Sequence, residues 1–389
     1  MKSSRCLKVG FTLNDKFKFY SSEDIDEKNA HYNVIFGERS NGKTTTILEK
    51  ILKNWIENKE QGAYIRRYDD EIIGNKGEQV WSSIANERDL VSKWTDGEYQ
   101  TIQYYGRKWY LAKWDEKLSR YVKQSQPFCY AFGINTAESY KGTSFPGITT
   151  ILYDEFISRH RYLRDEFVEF TNLLSTIIRQ RDTVKVYMLG NTVNPYNPYF
   201  DEMGLHNARK MEQDTIDVYE FRTGEEEEDA RVLTVAVEYT GTNERGKKSD
   251  TYFAFNNPKL SMITTGAWEL PLYPHAPYPI KPMDILEVFF VKFKDELIQG
   301  NIVLKDDDLF IYFHKKTTPM KDDIKLFYSL DFSPKLNHGI SLTSGFRNKL
   351  ATRIGQLIHN NLVYFQDNQV GEIIRNYMSE SDQVDAINR

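Results

Sequence analysis

Short apolar runs and longer amphipathic ones take turns along the first half of the chain. Tyr32-Asn33-Val34-Ile35-Phe36 is a compact apolar run bounded by turn-forming residues, which predicts a buried strand. Ile47, Leu48, Ile51, Leu52, Trp55 and Ile56 then recur at helical spacing, with Glu49, Lys50, Lys53 and Asn54 on the other face. Further strands are predicted over Ala63–Arg66, Ile148–Tyr153 and Val184–Leu189, and a helix over Glu166–Arg179. Strands alternating with helices predict an α/β domain built on a mostly parallel sheet with crossover helices.

The second half reads differently. Six of the twelve prolines (Pro258, Pro271, Pro274, Pro277, Pro279 and Pro282) fall between Asn257 and Met283, a stretch that can be neither helix interior nor central strand. Before it lies a charged segment with Glu225-Glu226-Glu227-Glu228-Asp229 and Gly246-Lys247-Lys248, read as solvated loop. These features predict a first domain at 1–205, a linking or lid subdomain at 206–280 and a third domain at 281–389. In the third, Glu287–Lys294, Ile298–Lys305 and Leu309–Lys315 read as a strand meander with a turn at Asp306-Asp307-Asp308. A strand at Leu326–Phe332, a helix through Leu350, Ile354, Leu357 and Ile358, and a strand at Leu362–Phe365 follow.

Composition narrows the class. The 389 residues are 40% hydrophobic and 28% charged, which is ordinary globular usage and excludes disorder over most of the length. Apolar stretches such as Ile285–Phe293 fall far short of the roughly 18 residues a membrane span needs. The N-terminus has no continuous apolar core, so no secretory signal and no membrane partner are expected. Two cysteines, Cys6 and Cys129, are too few for a disulfide framework or zinc site and fit a reducing cytoplasm. With a net charge of -5, nucleic acid would have to be met by a local patch or by a ring of subunits.

The strongest chemical signal is Gly37-Glu38-Arg39-Ser40-Asn41-Gly42-Lys43-Thr44, which fits G-x-x-x-x-G-K-[ST]. Glycines let the backbone curl so that successive N–H groups face phosphate oxygens, and the following helix adds its positive N-terminal end. Residues Gly37 to Thr45 thus form the expected cradle for ATP, with Lys43 reaching the β- and γ-phosphates and Thr44 holding Mg²⁺. A glycine turn without ligand is the plain alternative, but a predicted strand before and helix after favour the phosphate loop. Downstream, the apolar run at 148–153 ends in Asp154-Glu155. Asp154 is placed for the Mg²⁺ shell and Glu155 for a general base on the attacking water. Asn191, closing the run that begins at Val184, either senses the γ-phosphate or opens the turn before Asn194-Pro195. Arg159, Arg161, Arg164, Arg179 and Arg181 follow the carboxylates, and a trans-acting arginine finger would come from such a group. Residue type alone does not choose among the five.

These motifs, with Tyr64-Ile65-Arg66-Arg67-Tyr68, Tyr153-Asp154-Glu155-Phe156-Ile157, Arg179-Gln180-Arg181, Gly190-Asn191, Asn197-Pro198-Tyr199-Phe200 and Asp367-Asn368-Gln369-Val370, resemble the DNA-packaging ATPases of small protein-primed tailed phages (Picovirinae type). The resemblance spans most of 1–205 and the end of 281–389. It implies a P-loop NTPase of the additional-strand, catalytic-glutamate class, related to large terminase subunits. Lys43 and Thr44 would then be phosphate and Mg²⁺ ligands, Asp154 the Walker B acid, Glu155 the catalytic glutamate and Arg179 the trans-acting arginine. The implied activity is ATP-driven translocation of double-stranded DNA by a homo-oligomeric ring docked on the capsid portal, in the host cytoplasm. A packaging RNA as further partner stays open, as does Arg181 in place of Arg179. One departure is Asp69, which stands where the family pattern has a lysine.

For residues 281–389 the strand order fits an RNase H-like fold, yet Val288-Phe289-Phe290-Val291 carries no carboxylate where a two-metal nuclease needs one. The expectation is a vestigial nuclease domain. Around a hairpin, Tyr104-Tyr105-Gly106-Arg107-Lys108-Trp109-Tyr110 with Lys113, Trp114, Lys117, Arg120 and Lys123 mixes basic and aromatic residues. Phosphate contact and an ordinary exposed hairpin both stay open there. The rival readings are a terminase whose Asp331 and Asp367 hold metal for cleavage, a cellular P-loop helicase or partition ATPase, and a nucleotide-gated adaptor.

Overall fold

The computed structural model describes residues 19–387 apart from 159–161, 224–230, 242–267, 269–270, 277, 321–323, 332 and 346–347. Arg159, Arg161, Cys6, the acidic run at 225–229, the Gly246-Lys247-Lys248 segment and Pro258 therefore lie outside the described residues. The chain divides into two compact units, Met1–Glu269 and Leu270–Arg389.

In the first unit the elements run β1 (Tyr32–Gly37), α1 (Lys43–Asn58), β2 (Gln61–Arg66), β3 (Thr101–Tyr104), β4 (Lys108–Asp115), β5 (Arg120–Lys123), β6 (Cys129–Gly133), β7 (Ile148–Asp154), α2 (Glu166–Ile178), β8 (Lys185–Asn191), β9 (Thr215–Thr223) and β10 (Arg231–Thr240). They form one sheet in the order β3-β4-β6-β2-β7-β8-β1-β10-β9, with β5 paired to β4. From β6 to β10 all neighbours are parallel, while β9, β4, β3 and β5 add antiparallel edges. Strands buried on both faces need continuous apolar runs, and Val34, Ile35, Phe36, Ile151, Leu152 and Tyr153 supply them. On one face Ile47, Leu48, Ile51, Leu52 and Trp55 of α1 pack with Leu152, Tyr187 and Leu189. On the other, Phe170, Leu173, Leu174 and Ile177 of α2 pack with Ile151, Val186 and Met188. Each such side chain contributes roughly 1.5–3 kcal/mol by leaving water.

The sequence reading set 206–280 apart from the first domain. The structure instead joins Thr215–Thr223 and Arg231–Thr240 to its sheet, because β10 bonds to β1 in parallel register from Tyr32↔Val235 to Gly37↔Thr240. A strand that pairs with all six residues of β1 belongs to that core. The boundary between the units accordingly falls at 269/270.

The second unit holds β11 (Ile285–Phe293), β12 (Glu296–Lys305), β13 (Asp308–Lys315), β14 (Phe327–Tyr328), β15 (His338–Gly339), α3 (Lys349–His359), β16 (Val363–Phe365) and α4 (Asn368–Ile387), with sheet order β15-β14-β11-β12-β13-β16. The meander turns at Asp306 and Asp307, both at positive φ, as a tight two-residue hairpin requires. Of the strand expected at Leu326–Phe332, the described residues form the two-residue β14, paired in parallel to β11. Asp331 and Asp367 belong to no group of three or more metal-ligating side chains among the described residues.

Candidate active site

The phosphate-loop residues, Asp154, Glu155 and Asn191 arrive at the carboxyl edge of the parallel sheet, the edge where ligands sit in open α/β folds. Gly37 ends β1, Asp154 ends β7, and Asn191 ends β8 as the register partner of Gly37. Gly37 has φ +153°, and a Cβ there would come within 2.1 Å of Thr240 Oγ1. Gly42 caps α1 at φ +100°, in the left-handed region that favours glycine. Between them the loop is braced by Asn41, whose Nδ2 donates to Thr240 Oγ1 at 3.0 Å. Residues 19–20 lie across it: Tyr20 N donates to Asn41 O at 3.0 Å, and Thr46 Oγ1 donates to Tyr20 O at 2.9 Å. Around this loop is an open cavity of about 420 Å³, lined by Phe19, residues 39–45, Asp154, Glu155 and residues 189–191.

Lys43 is 5% exposed and folds back over its own loop, donating to Glu38 O at 2.5 Å and Asn41 Oδ1 at 3.1 Å. Burial lowers its ammonium to about 8, against the pull of Asp154, Glu38 and Glu238. Thr44 Oγ1 donates to Asp154 Oδ1 at 3.1 Å, which joins the first turn of α1 to the end of β7. Asp154 is buried, and burial raises its carboxyl above the usual range although Arg66, Tyr64 and Thr44 oppose the rise. Tyr64 OH donates to its Oδ2 at 3.0 Å.

Glu155 stands with φ +60°, a strained position for a residue with a side chain. Arg67 helps hold it there, donating to the carbonyls of Glu155 at 3.3 Å and Phe156 at 2.7 Å. Arg67 is itself fixed by a buried ion pair to Glu166 at 2.8 Å, whose other oxygen accepts from Tyr153 and Tyr199, each at 2.9 Å. The Glu155 carboxylate turns toward β2 and meets Arg66 at 2.7 Å. Arg66 also lies 3.6 Å from Asp154 and 3.2 Å from Glu71. Burial works against its charge, yet Tyr64, Asp154, Glu155 and Glu71 together raise its pKa above the ordinary value.

Of the candidate arginines, the three described ones, Arg164, Arg179 and Arg181, go elsewhere. α2 runs back toward the amino edge of the sheet, where Arg179 sits at φ +44° and donates to Thr143 O at 2.8 Å. Arg181 donates to the carbonyls of Phe145, Pro146, Ile148, Ile177 and Ile178 at 2.5–3.2 Å. Arg164 is exposed and 3.6 Å from its neighbour Asp165. Asp69 pairs with Arg107 at 2.5 Å.

Sequence reasoning brought Lys43, Thr44, Asp154, Glu155 and Asn191 to one place but gave no role to Tyr64, Arg66, Arg67 or Thr240. The signal for the first two was present. Tyr64 and Arg66 alternate on one face of a strand, and in a parallel sheet the end of β2 lies beside the end of β7.

A mixed α/β fold with a parallel sheet and a glycine-rich loop at a helix N-terminus defines the class. Within it, the chain belongs to the family of podovirus DNA encapsidation proteins (Gp16), whose model matches residues 14–220. It is 28% identical over 192 residues to the DNA packaging protein of Bacillus phage phi29, and 29% identical over 178 residues to that of Bacillus phage B103. These alignments cover 48% and 44% of this chain, and 50% and 48% of those proteins, so the chain spans about half the length of the curated relatives it matches. Its fold is similar to a chain of the bacteriophage Phi-29 viral genome packaging motor assembly, with TM-score 0.53 and 17% identity over 94% of this chain and 99% of that one.

Proposed function

We propose that the chain is the ATPase of a viral genome packaging motor, hydrolysing ATP to drive double-stranded DNA through the portal into a preformed capsid. The observation that carries this reading is the 3.1 Å contact between Thr44 and Asp154, residues 110 positions apart in the chain. It unites a phosphate-loop hydroxyl with a buried carboxylate beside Glu155, and β8 lies between their strands, as the additional-strand class requires. The family supplies the DNA and the capsid. The RNase H-like reading of the second unit, the portal, a homo-oligomeric ring and a bridging RNA belong to the same proposal.

The residues fit Mg²⁺ and ATP. The donor set is a hydroxyl and a carboxylate, both hard oxygens, beside an ammonium that loop oxygens hold where phosphate oxygens would serve. Bound through Thr44 and Asp154, Mg²⁺ would neutralise charge on the phosphates. Lys43 would exchange its bonds to Glu38 and Asn41 for the nucleotide, gaining back the charge stabilisation that burial removes. Glu155 would accept a proton from the attacking water once its carboxylate leaves Arg66. Asn191, beside Gly37, would contact the terminal phosphate.

The test is steady-state phosphate release with and without duplex DNA. Wild type is expected to turn over faster with DNA, while Glu155→Gln still binds ATP and loses at least about 10²-fold in rate, the span of general-base catalysis. Unchanged turnover in Glu155→Gln would overturn the catalytic assignment.

A further inference from the structure

The meander at the sheet edge opposite β9 carries a second feature that the motor site does not use. In it Tyr105, Lys108, Tyr110, Trp114, Tyr121 and Lys123 share one face. Alternate residues of β4 point the same way, Trp114 pairs with Tyr121, and Lys123 with Ala112. Three of these aromatics are open to solvent: Tyr105 at 69%, Trp114 at 50% and Tyr121 at 41%. Exposed tryptophan and tyrosine on a hairpin lose contact with water only when something covers them.

Charge says what covers them. Residues 103–124 hold six cationic side chains against two carboxylates, in a chain whose net charge is -5. Arg107 is held by Asp69 and Tyr140. Among the described residues, Lys113, Lys117, Arg120 and Lys123 make no ion pair. Lys123 lies 3.9 Å over the Tyr110 ring and 5.4 Å over that of Tyr105, so cation and aromatic form one surface. Trp114 and Tyr121 meet edge to face at 5.2 Å. Lysine is depleted in protein–protein contacts, whereas lysine interleaved with exposed aromatics is how proteins hold unpaired nucleotides. In a duplex the base faces are already stacked and offer these rings nothing.

We infer that this face of the β3–β4–β5 meander binds unpaired nucleotides, stacking their bases on Trp114, Tyr121 and Tyr105 and holding their phosphates with Lys123 and its neighbours. The shared chemistry is a flexible polyanion with free base faces, from single-stranded DNA or from the loop of a folded RNA. This site is separate from the one proposed for ATP, so its test needs no ATP.

The experiment is fluorescence anisotropy of the full chain with labelled oligothymidine, a labelled RNA hairpin with an unpaired loop, and a fully paired DNA duplex. The W114A/Y121A double substitution is expected to weaken the oligothymidine or the loop by about tenfold or more, and the duplex much less. Loss on both unpaired probes assigns the site to unpaired bases in general, and loss on the RNA alone assigns it to RNA. Lys123→Gln is expected to flatten the salt dependence, and Trp114→Phe to retain most of the binding, which guards against a folding artefact. Equal loss on duplex and unpaired probes would overturn the stacking, leaving phosphate contact alone. Unchanged affinity for every probe, or a loss of self-association in sedimentation with nucleic-acid affinity intact, would overturn the proposal outright.

Discussion

Arg66 ties together the two carboxylates on which hydrolysis would depend, and its removal has a definite sign. Asp154 must be ionised to hold a metal, burial opposes that ionisation, and Arg66 is the largest influence favouring it. Taking the cation away raises the Asp154 pKa further. The acid limb of the kcat/KM profile is therefore expected to move to higher pH in Arg66→Ala and to stay near wild type in Arg66→Lys, which a pH series of ATP hydrolysis measures. A limb that does not move would mean that Asp154 is not the group titrating there. Arg181 is a different case. Its guanidinium fills five carbonyls at the end of α2 and the start of β7, so Arg181→Ala is expected to lower stability by about 2 kcal/mol through unsatisfied backbone, read as a drop in Tm. An arginine so fully engaged is not available as a finger, so within the Arg179-Gln180-Arg181 pair the proposal falls on Arg179.

At the scale of elements, legibility followed locality. The strands at 32–37, 148–154 and 185–191 announce themselves as apolar runs, because both their faces are buried, and α1 by its stripe at helical spacing. The phosphate loop and Asp154-Glu155 were legible for the same reason, since each is contiguous in the chain. β9 and β10 were not. β10 pairs with β1, about two hundred residues away, β9 pairs in turn with β10, and the acidic run between them reads as loop. α4 was missed although Val370, Ile373, Ile374 and Tyr377 recur at helical spacing and are all buried. That signal was present in the sequence and simply not read. β10 also carries Glu238, whose carboxyl burial raises to about 7 and which accepts from Tyr20 OH at 2.6 Å. The folded chain holds a proton there that the unfolded chain, with its ordinary value of 4.5, releases. This contribution is complete below pH about 4.5 and is lost as pH rises through about 7, on the order of 3 kcal/mol. Glu238→Gln is expected to be more stable than wild type at neutral pH and to flatten the stability curve between those values, by urea unfolding at a series of pH values. Parallel curves for the two proteins would remove Glu238 from the account.

For the whole molecule the decisive distance is the length of β7. Arg181 bonds to the carbonyl of Ile148 at one end, Arg179 reaches Thr143 just before it, and Asp154 stands at the other end. Seven residues of strand span roughly 20 Å. Arg179 thus cannot serve the site of its own chain, and if it neutralises transition-state charge it does so in a neighbour. If the chain works on DNA as proposed, its net charge of -5 gives it a reason of its own to gather several copies around one duplex. Complementation tests this directly. Arg179→Ala and Glu155→Gln are each expected to lose most DNA-stimulated hydrolysis, by 10³-fold or more for the arginine on the usual scale of a finger. Mixed at fixed total concentration, the two are expected to regain a substantial part. Some contacts then bring an intact Arg179 from one chain to an intact Glu155 in another. If the mixture does no better than the mean of its components, the site is completed within one chain, and Arg179 must be replaced by a group nearer Asp154.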